Sequence, residues 1–380
     1  MDFSLTKEQK DIIKAASRFA KGEFTDRAIE FDRSESFDYK IWKKACDLGF
    51  VGAHIGEEYG GAGYGFFEHC LITEEFWAVD PGMGSAALST TFGSELIIMC
   101  GTQAQKELVL PKLVKGEAIM GTAITEPDAG CDVTGAVTAA EIDGDHWIIN
   151  GSKMFATNGT VAHFMLIFCL TDPDNPARHK RYSFILVPTG TPGFAATKIK
   201  GKLGIRASDT AEIALKEVRV PVENLVGEEG NGFYHLMEFF NRTRLHVCAQ
   251  GVGLARSALE ESVRYTKSRC QFGQPIADFQ VTQFKLAEMA TRIRAARNLY
   301  YEAAWLTDQH KLDHALVAMA KWYSARVAVE CADEALQMHG GYGYIDEYKV
   351  QRLYRDAKIL EIYEGTKEIE KTIVAKNLLK

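Results

Sequence analysis

A chain of 380 residues, 46% apolar and 25% charged, is long enough for two or three domains around substantial cores. Its formal net charge of -7 offers no field to attract nucleic acid or an anionic membrane, so any anionic ligand must find Arg and Lys concentrated locally. The 8 cysteines are scattered, with no C-x-x-C pair and no His cluster at zinc spacing, which points to reduced thiols and to no metal. The start, Met1 to Thr6, lacks a basic, apolar or Arg-rich leader pattern, and no apolar run reaches membrane-spanning length. A cytoplasmic protein is expected, or a mitochondrial matrix protein in its processed form.

Along the chain the hydrophobic period changes twice. Residues 1–117 carry helical spacing. Thr6 and Gln9 form a capping-box pattern ahead of the stripe Ile12, Ile13, Ala16 and Phe19. Further helices are expected over 39–48, 66–79 and 102–114, punctuated by Gly60-Gly61-Ala62-Gly63 and Pro81-Gly82. Residues 118–227 turn to short β-rich runs at 147–149, 164–168, 182–187 and 217–220, bounded by turn dipeptides such as Asn150-Gly151 and Asn158-Gly159. No helical pattern separates these runs, so an antiparallel sheet or barrel is expected. In 228–380, long amphipathic helices return at about 232–267, 278–308, 313–338 and 367–379, the lengths of a four-helix bundle. The fold class expected is α+β: an N-terminal helical domain, a central β domain and a C-terminal bundle.

Two segments stand out chemically. The run from Thr122 to Asp132 combines Thr125 with a glycine-containing turn whose N–H groups suit a phosphate or ring carbonyl. The run from Asn150 to Gly159 sets Phe155 and Thr157 two residues apart, on one side of the chain if it is extended. Gly61-Ala62-Gly63-Tyr64-Gly65 lacks G-x-G-x-x-G spacing and a preceding strand, and reads as a loop between helices.

These segments resemble the acyl-CoA dehydrogenase family, nearest its short- and medium-chain members, over essentially the whole chain. The likeness continues in Lys202 to Ser208, Gly227 to Gly232, Arg269 to Gly273, Gln337 to Gly343, Tyr354 to Ala357 and Ile362 to Thr366. The resemblance implies an FAD enzyme in which Ile124, Thr125, Gly130 and Cys131 line the flavin and Phe155 and Thr157 face its ring. It implies that Arg269, Phe272, Gln280, Gln337, Gly340 and Gly341 reach the FAD of a neighbouring subunit, in a homotetramer built as a dimer of dimers. Thr366 and Glu368 would meet the phosphate region. Arg269 suits that role because guanidinium pairs bidentately with pyrophosphate. Asn241 and Arg244 would sit beside CoA, with Cys131 and the Gly365 backbone near the substrate. Glu364 would be the base that removes the α-proton. Some relatives carry that base on the long helix at the position of Thr243, which here cannot serve.

Two departures appear: Cys131 stands where relatives usually have Ser, and Asn241 replaces a more usual Asp. The resemblance implies α,β-dehydrogenation of an acyl-CoA with electrons passed to electron-transferring flavoprotein. An acyl-CoA oxidase, an enoyl-CoA reductase on the same site, and a non-catalytic FAD- and CoA-binding module are the rivals. The resemblance places the acyl pocket around Gly82 to Glu95, without the Arg near Gly84 that relatives acting on ω-carboxylated groups carry, which disfavours such a substrate unless an Arg from elsewhere substitutes. Leu88 to Phe92 suggest a compact neutral pocket, compatible with short- to medium-chain or cyclic groups such as cyclohexanecarbonyl-CoA.

Overall fold

The computed structural model describes residues 4–380. Seven helices open the chain: α1 (Lys7–Glu23), α2 (Ala28–Ser34), α3 (Tyr39–Asp47), α4 (Phe66–Val79), α5 (Pro81–Leu88), α6 (Ser94–Cys100) and α7 (Gln103–Val114). Thr6 and Gln9 form the expected capping box on α1, and Thr102 and Gln105 form a second on α7. The low amphipathicity of α4 has a simple cause: every residue from His69 to Ala78 is buried, because the helix is enclosed between α1 and the C-terminal helices. Pro81-Gly82, expected to interrupt a helix, instead opens one. Asp80 caps α5 by accepting from Met83 N at 2.9 Å, and Pro81 occupies the first turn, where its missing N–H costs nothing.

Eight strands follow as one sheet: β1 (Met120–Ala123), β2 (Ala139–Asp143), β3 (His146–Thr157), β4 (Phe164–Leu170), β5 (Tyr182–Pro188), β6 (Phe194–Lys198), β7 (Thr210–Pro221) and β8 (Leu225–Val226). The order is β6-β7-β3-β2-β4-β5-β8, with β1 also on β4. The sheet is not wholly antiparallel, as the sequence had suggested: β1 runs parallel to β4, from Met120↔Phe164 to Ala123↔Ile167, and Ala139 pairs in parallel with Leu170. A parallel join needs a long return but not a helical one, and here the hairpin of β2 and β3 makes it.

The chain then builds α8 (Gly232–Ser268), the short ribbon β9 (Cys270–Gln271) and β10 (Gln274–Pro275), α9 (Gln280–Asp308), α10 (His314–His339), α11 (Lys349–Ala357) and α12 (Lys367–Leu378). Helices α8, α9 and α10 pack on one another, α12 lies on α10, and α4 docks against α8. Buried Glu74 of α4 pins that docking: it takes Arg297 Nη2 at 2.7 Å, Arg256 Nη1 at 3.1 Å and the Tyr300 hydroxyl at 2.5 Å. All its partners are structural, so this carboxylate is not available for chemistry. Among the described residues no helix is long and apolar enough to cross a membrane.

Candidate active site

Glu364 sits in the loop before α12, whose N-cap is Thr366. Both Glu364 (φ 56°) and Gly365 (φ 100°) take positive φ, a conformation a glutamate adopts only under constraint. The constraint is visible. The Thr243 hydroxyl of α8 donates to Glu364 Oε2 at 2.5 Å, and Arg244 Nε donates to the Glu364 carbonyl at 2.9 Å. Lys321 Nζ of α10 donates to the Gly365 carbonyl. The neighbouring Tyr363 hydroxyl meets Gln250 Oε1 at 2.5 Å. Burial raises the Glu364 carboxyl above the ordinary range, and the Thr243 hydrogen bond with the Arg244 and Lys321 charges pulls partly against it.

Arg244 is buried, and it also reaches Asn241 Oδ1 through Nη1 at 3.2 Å and Glu370 Oε1 through Nε at 3.0 Å. Asn241 is buried with it. Cys131, exposed, approaches Thr366 Oγ1 at 3.9 Å, so the 124–131 turn meets the loop that carries Glu364.

The two motif segments are stitched together by a buried pair. Lys153 Nζ lies 2.7 Å from Glu126 Oε1 and 3.1 Å from the Ile124 carbonyl, while Met154 N donates to the Thr125 carbonyl at 2.8 Å. Glu126 also accepts the N–H groups of Val137 and Thr138. Phe155 and Thr157 do not follow simple strand alternation. The register of β3 on β7 shifts between Lys153 and Ala156, and Phe155 has φ 57° and is 64% exposed. That bulge turns the ring out of the sheet.

A third group lies apart from these. Arg269, Gly340 and Gly341 line a cavity of about 550 Å³ with Tyr265, His339 and Tyr342. The Arg269 guanidinium stands over the Tyr342 ring at 5.7 Å. Gln337 closes α10 by accepting the Gly340 N–H through its carbonyl. Phe272 (φ 53°) is 94% exposed, and Gln280 and Glu368 are also on the surface. His339 is a packed residue, stacked on Tyr265 at 4.1 Å and bonded through Nδ1 to the Ala335 carbonyl.

The segment 82–95, in which Leu88 to Phe92 suggested a neutral pocket, ends on the buried carboxyl of Glu95. Burial lifts Glu95 to about 7, and Glu364 is among the charges that act on it. His54 Nε2 lies 4.0 Å from Glu95 Oε1 and 3.0 Å from Ser94 Oγ, and its Nδ1 is 3.3 Å from His69 Nδ1. The His69 ring is in turn 4.2 Å from that of His246. Asp80, the other acid near this segment, is held by Arg352 Nε at 2.9 Å. Gly84 backs onto α4, where a Cβ would meet Trp77 Cδ1 at 3.0 Å, so a side chain there would have to push α4 aside. Sequence reading missed Lys321, Glu370 and the three histidines. A Lys inside an otherwise Ala-rich helix stripe was the one available signal, since Lys is rarely buried without a partner.

Models described as the N-terminal, middle and C-terminal domains of acyl-CoA dehydrogenase match residues 6–117, 121–218 and 230–379. The chain is 41% identical to the acryloyl-CoA reductase (NADH) of Anaerotignum propionicum, over 100% of this chain and 96% of that one. It is 40% identical to a short-chain specific acyl-CoA dehydrogenase of Megasphaera elsdenii over the whole of both. Among solved structures, butyryl-CoA dehydrogenase from Megasphaera elsdenii superposes with TM-score 0.96 at 38% identity, covering 100% of each chain. A chain from a study of the electron transferring flavoprotein of Acidaminococcus fermentans gives TM-score 0.97 at 39% identity, again over 100% of each.

Proposed function

The chain belongs to the acyl-CoA dehydrogenase family of FAD-dependent oxidoreductases, and from that premise we propose that it desaturates a short acyl-CoA thioester, with Glu364 removing the α-proton. The observation that carries this reading is the state of Glu364. Its carboxyl is raised by burial and held through Oε2 by Thr243, which leaves Oε1 for a substrate proton. We assign the Glu364 N–H to the thioester carbonyl, where it would stabilise the charge that develops as the α-proton leaves. Bound FAD would supply the acceptor for the hydride that leaves Cβ.

The residues present suit that cofactor. Phe155 and Phe272 are aromatic, largely exposed and at positive φ, an arrangement that a planar ligand would cover. Gly130, Gly340 and Gly341 face open space, where a Cβ would meet nothing within 4 Å. Arg269 supplies a guanidinium for pyrophosphate. That the two aromatics belong to separate groups supports an assembly in which Arg269, Phe272 and Gln337 complete a neighbour's site, and a homotetramer is the arrangement proposed. Electron-transferring flavoprotein is the proposed electron acceptor, in keeping with the relative from Acidaminococcus fermentans.

A second reading has its own support: the relative named acryloyl-CoA reductase favours the reverse direction, with Glu364 delivering the proton to Cα. Mixing the FAD-loaded protein anaerobically with butyryl-CoA tests the forward reading. Bleaching of the flavin absorbance with formation of 2-enoyl-CoA is expected, and an unchanged spectrum would overturn it. Dithionite-reduced protein reoxidised by crotonyl-CoA but not by electron-transferring flavoprotein would favour the reverse.

A further inference from the structure

Beneath the loop that carries Glu364 lies a group with no part in the scheme above. Glu370, in the first turn of α12, has a side chain that is 0% exposed, yet neither carboxylate oxygen accepts a hydrogen bond among the described residues. Two buried cations face it from two other helices. Arg244 of α8 brings Nε to 3.0 Å from Oε1, but that N–H is aimed at the Glu364 carbonyl, 2.9 Å away. Lys321 of α10, itself 0% exposed, donates to the Gly365 carbonyl and to neither Glu370 oxygen. The same two cations therefore hold two consecutive carbonyls of a loop whose residues both have positive φ. A Cβ on Gly365 would fall 2.2 Å from Glu370 Oε1 and 3.1 Å from Arg244 Nη2, so loop, carboxylate and cation are in direct contact.

A buried carboxylate without hydrogen bonds is costly, and so are two buried cations of like sign. Here each offsets the other. Burial lifts the Glu370 carboxyl to about 7 and lowers the Lys321 ammonium to about 8, in both cases against the pull of the opposite charge. The groups that face Glu370 or Lys321 are Arg244 and Cys248 from α8 and Glu364 from the loop. Cys248 is pushed up to about 12 and carries no charge.

We propose that Glu370 is a positioning residue for the base, the counter-ion that keeps Arg244 and Lys321 together so that their donors fix the Glu364 and Gly365 carbonyls. The proposal rests on the reading of Glu364 as base. Without the carboxylate the two cations repel, Lys321 sheds its proton more readily, and the charge-assisted bond to Gly365 weakens.

The test is the rate of anaerobic bleaching by saturating butyryl-CoA, followed against pH for E370Q, K321M and the double variant. E370Q keeps the side-chain shape. It is expected to lower the limiting rate by about 10- to 100-fold, the scale on which small misplacements of a catalytic group act. FAD content and KM should stay close to wild type. The alkaline fall in rate should move to lower pH, because an ammonium deprived of its anion loses its proton sooner. The double variant should be no slower than K321M alone, since the two groups act as one unit. A wild-type rate and pH profile in E370Q, or losses that multiply in the double variant, would overturn the proposal. Should E370Q fail to retain FAD, the double variant, which removes cation and carboxylate together, is expected to regain it; a double variant as defective as E370Q would also overturn it. The base reading fails separately, through wild-type bleaching in Glu364→Gln.

Discussion

Around Glu364 the chain supplies every partner from within itself, whereas around Arg269 it leaves an open crevice with exposed aromatic rings. Thr243, Arg244, Lys321 and Glu370 come from three helices of one chain and hold the Glu364 loop in a conformation it would not adopt alone. The Arg269 crevice has one cation–π contact, two glycines facing open space and a nearly bare Phe272. A site that must place one oxygen accurately benefits from being fixed before substrate arrives. A site that shares a large cofactor with a second subunit has to stay open until the partner closes it. On the reading proposed above, the contrast assigns the proton chemistry to the single chain and the cofactor grip to the assembly.

Four expected outcomes would sharpen or break that contrast. The largest is at the base: Glu364→Gln should slow substrate-dependent bleaching by roughly 10²–10⁴-fold or more, with FAD content unchanged, as read by stopped-flow absorbance. Next is the pair that joins the motif segments. Lys153→Met strands Glu126 in the interior and should cost about 3–5 kcal/mol of stability, the usual scale for breaking a buried pair, measured by denaturant unfolding. If stability is unchanged, the two segments are held by something else.

Arg269→Ala should weaken FAD binding about tenfold or more, the weight of a hydrogen bond to a charged group, by titration of the apoprotein. Dilution that dissociates the wild-type assembly should weaken FAD binding too, and a monomer with full affinity would break the comparison. The smallest effect concerns the buried histidines. Burial holds His54 at about 4 and His246 at about 3, with His69 also well below its ordinary value. Their folded values lie under the unfolded value of about 6.5, so the stability they contribute is present above that pH and is lost as pH falls towards 4. Glu95, raised to about 7, acts with the opposite sign between its unfolded value and 7. His246→Phe should therefore flatten the acid fall in unfolding free energy by up to about 1.4 kcal/mol per pH unit, measured by denaturant unfolding at several pH values. An unaltered slope would place the histidines outside the titrating set.

Much of this architecture is written in local sequence. The capping boxes at Thr6 and Thr102, the period of the long C-terminal helices and the β-rich runs act over a few residues, and each forms where its pattern stands. Residues that depend on distant partners were harder to read. Pro81-Gly82 looks like an interruption until Asp80 is seen to cap a helix there. Phe155 looks like one member of an alternating pair until the bulge against β7 turns it outward. The Glu364-Gly365-Thr366 motif marked the proposed base loop, but Lys321 and Glu370 lie 43 residues before and 6 after Glu364 along the numbering, with no motif of their own. Only the packing of α10 and α12 beneath the loop brings them together.

The most direct measurement is α-proton exchange in D₂O. FAD-loaded wild type, incubated anaerobically with butyryl-CoA and no electron acceptor, should replace hydrogen by deuterium at Cα, followed by mass spectrometry of the recovered thioester. Glu364→Gln, with its FAD intact, should lose that exchange while still binding the thioester. Exchange at the wild-type rate in Glu364→Gln would contradict the account and move the search for the base to Glu95.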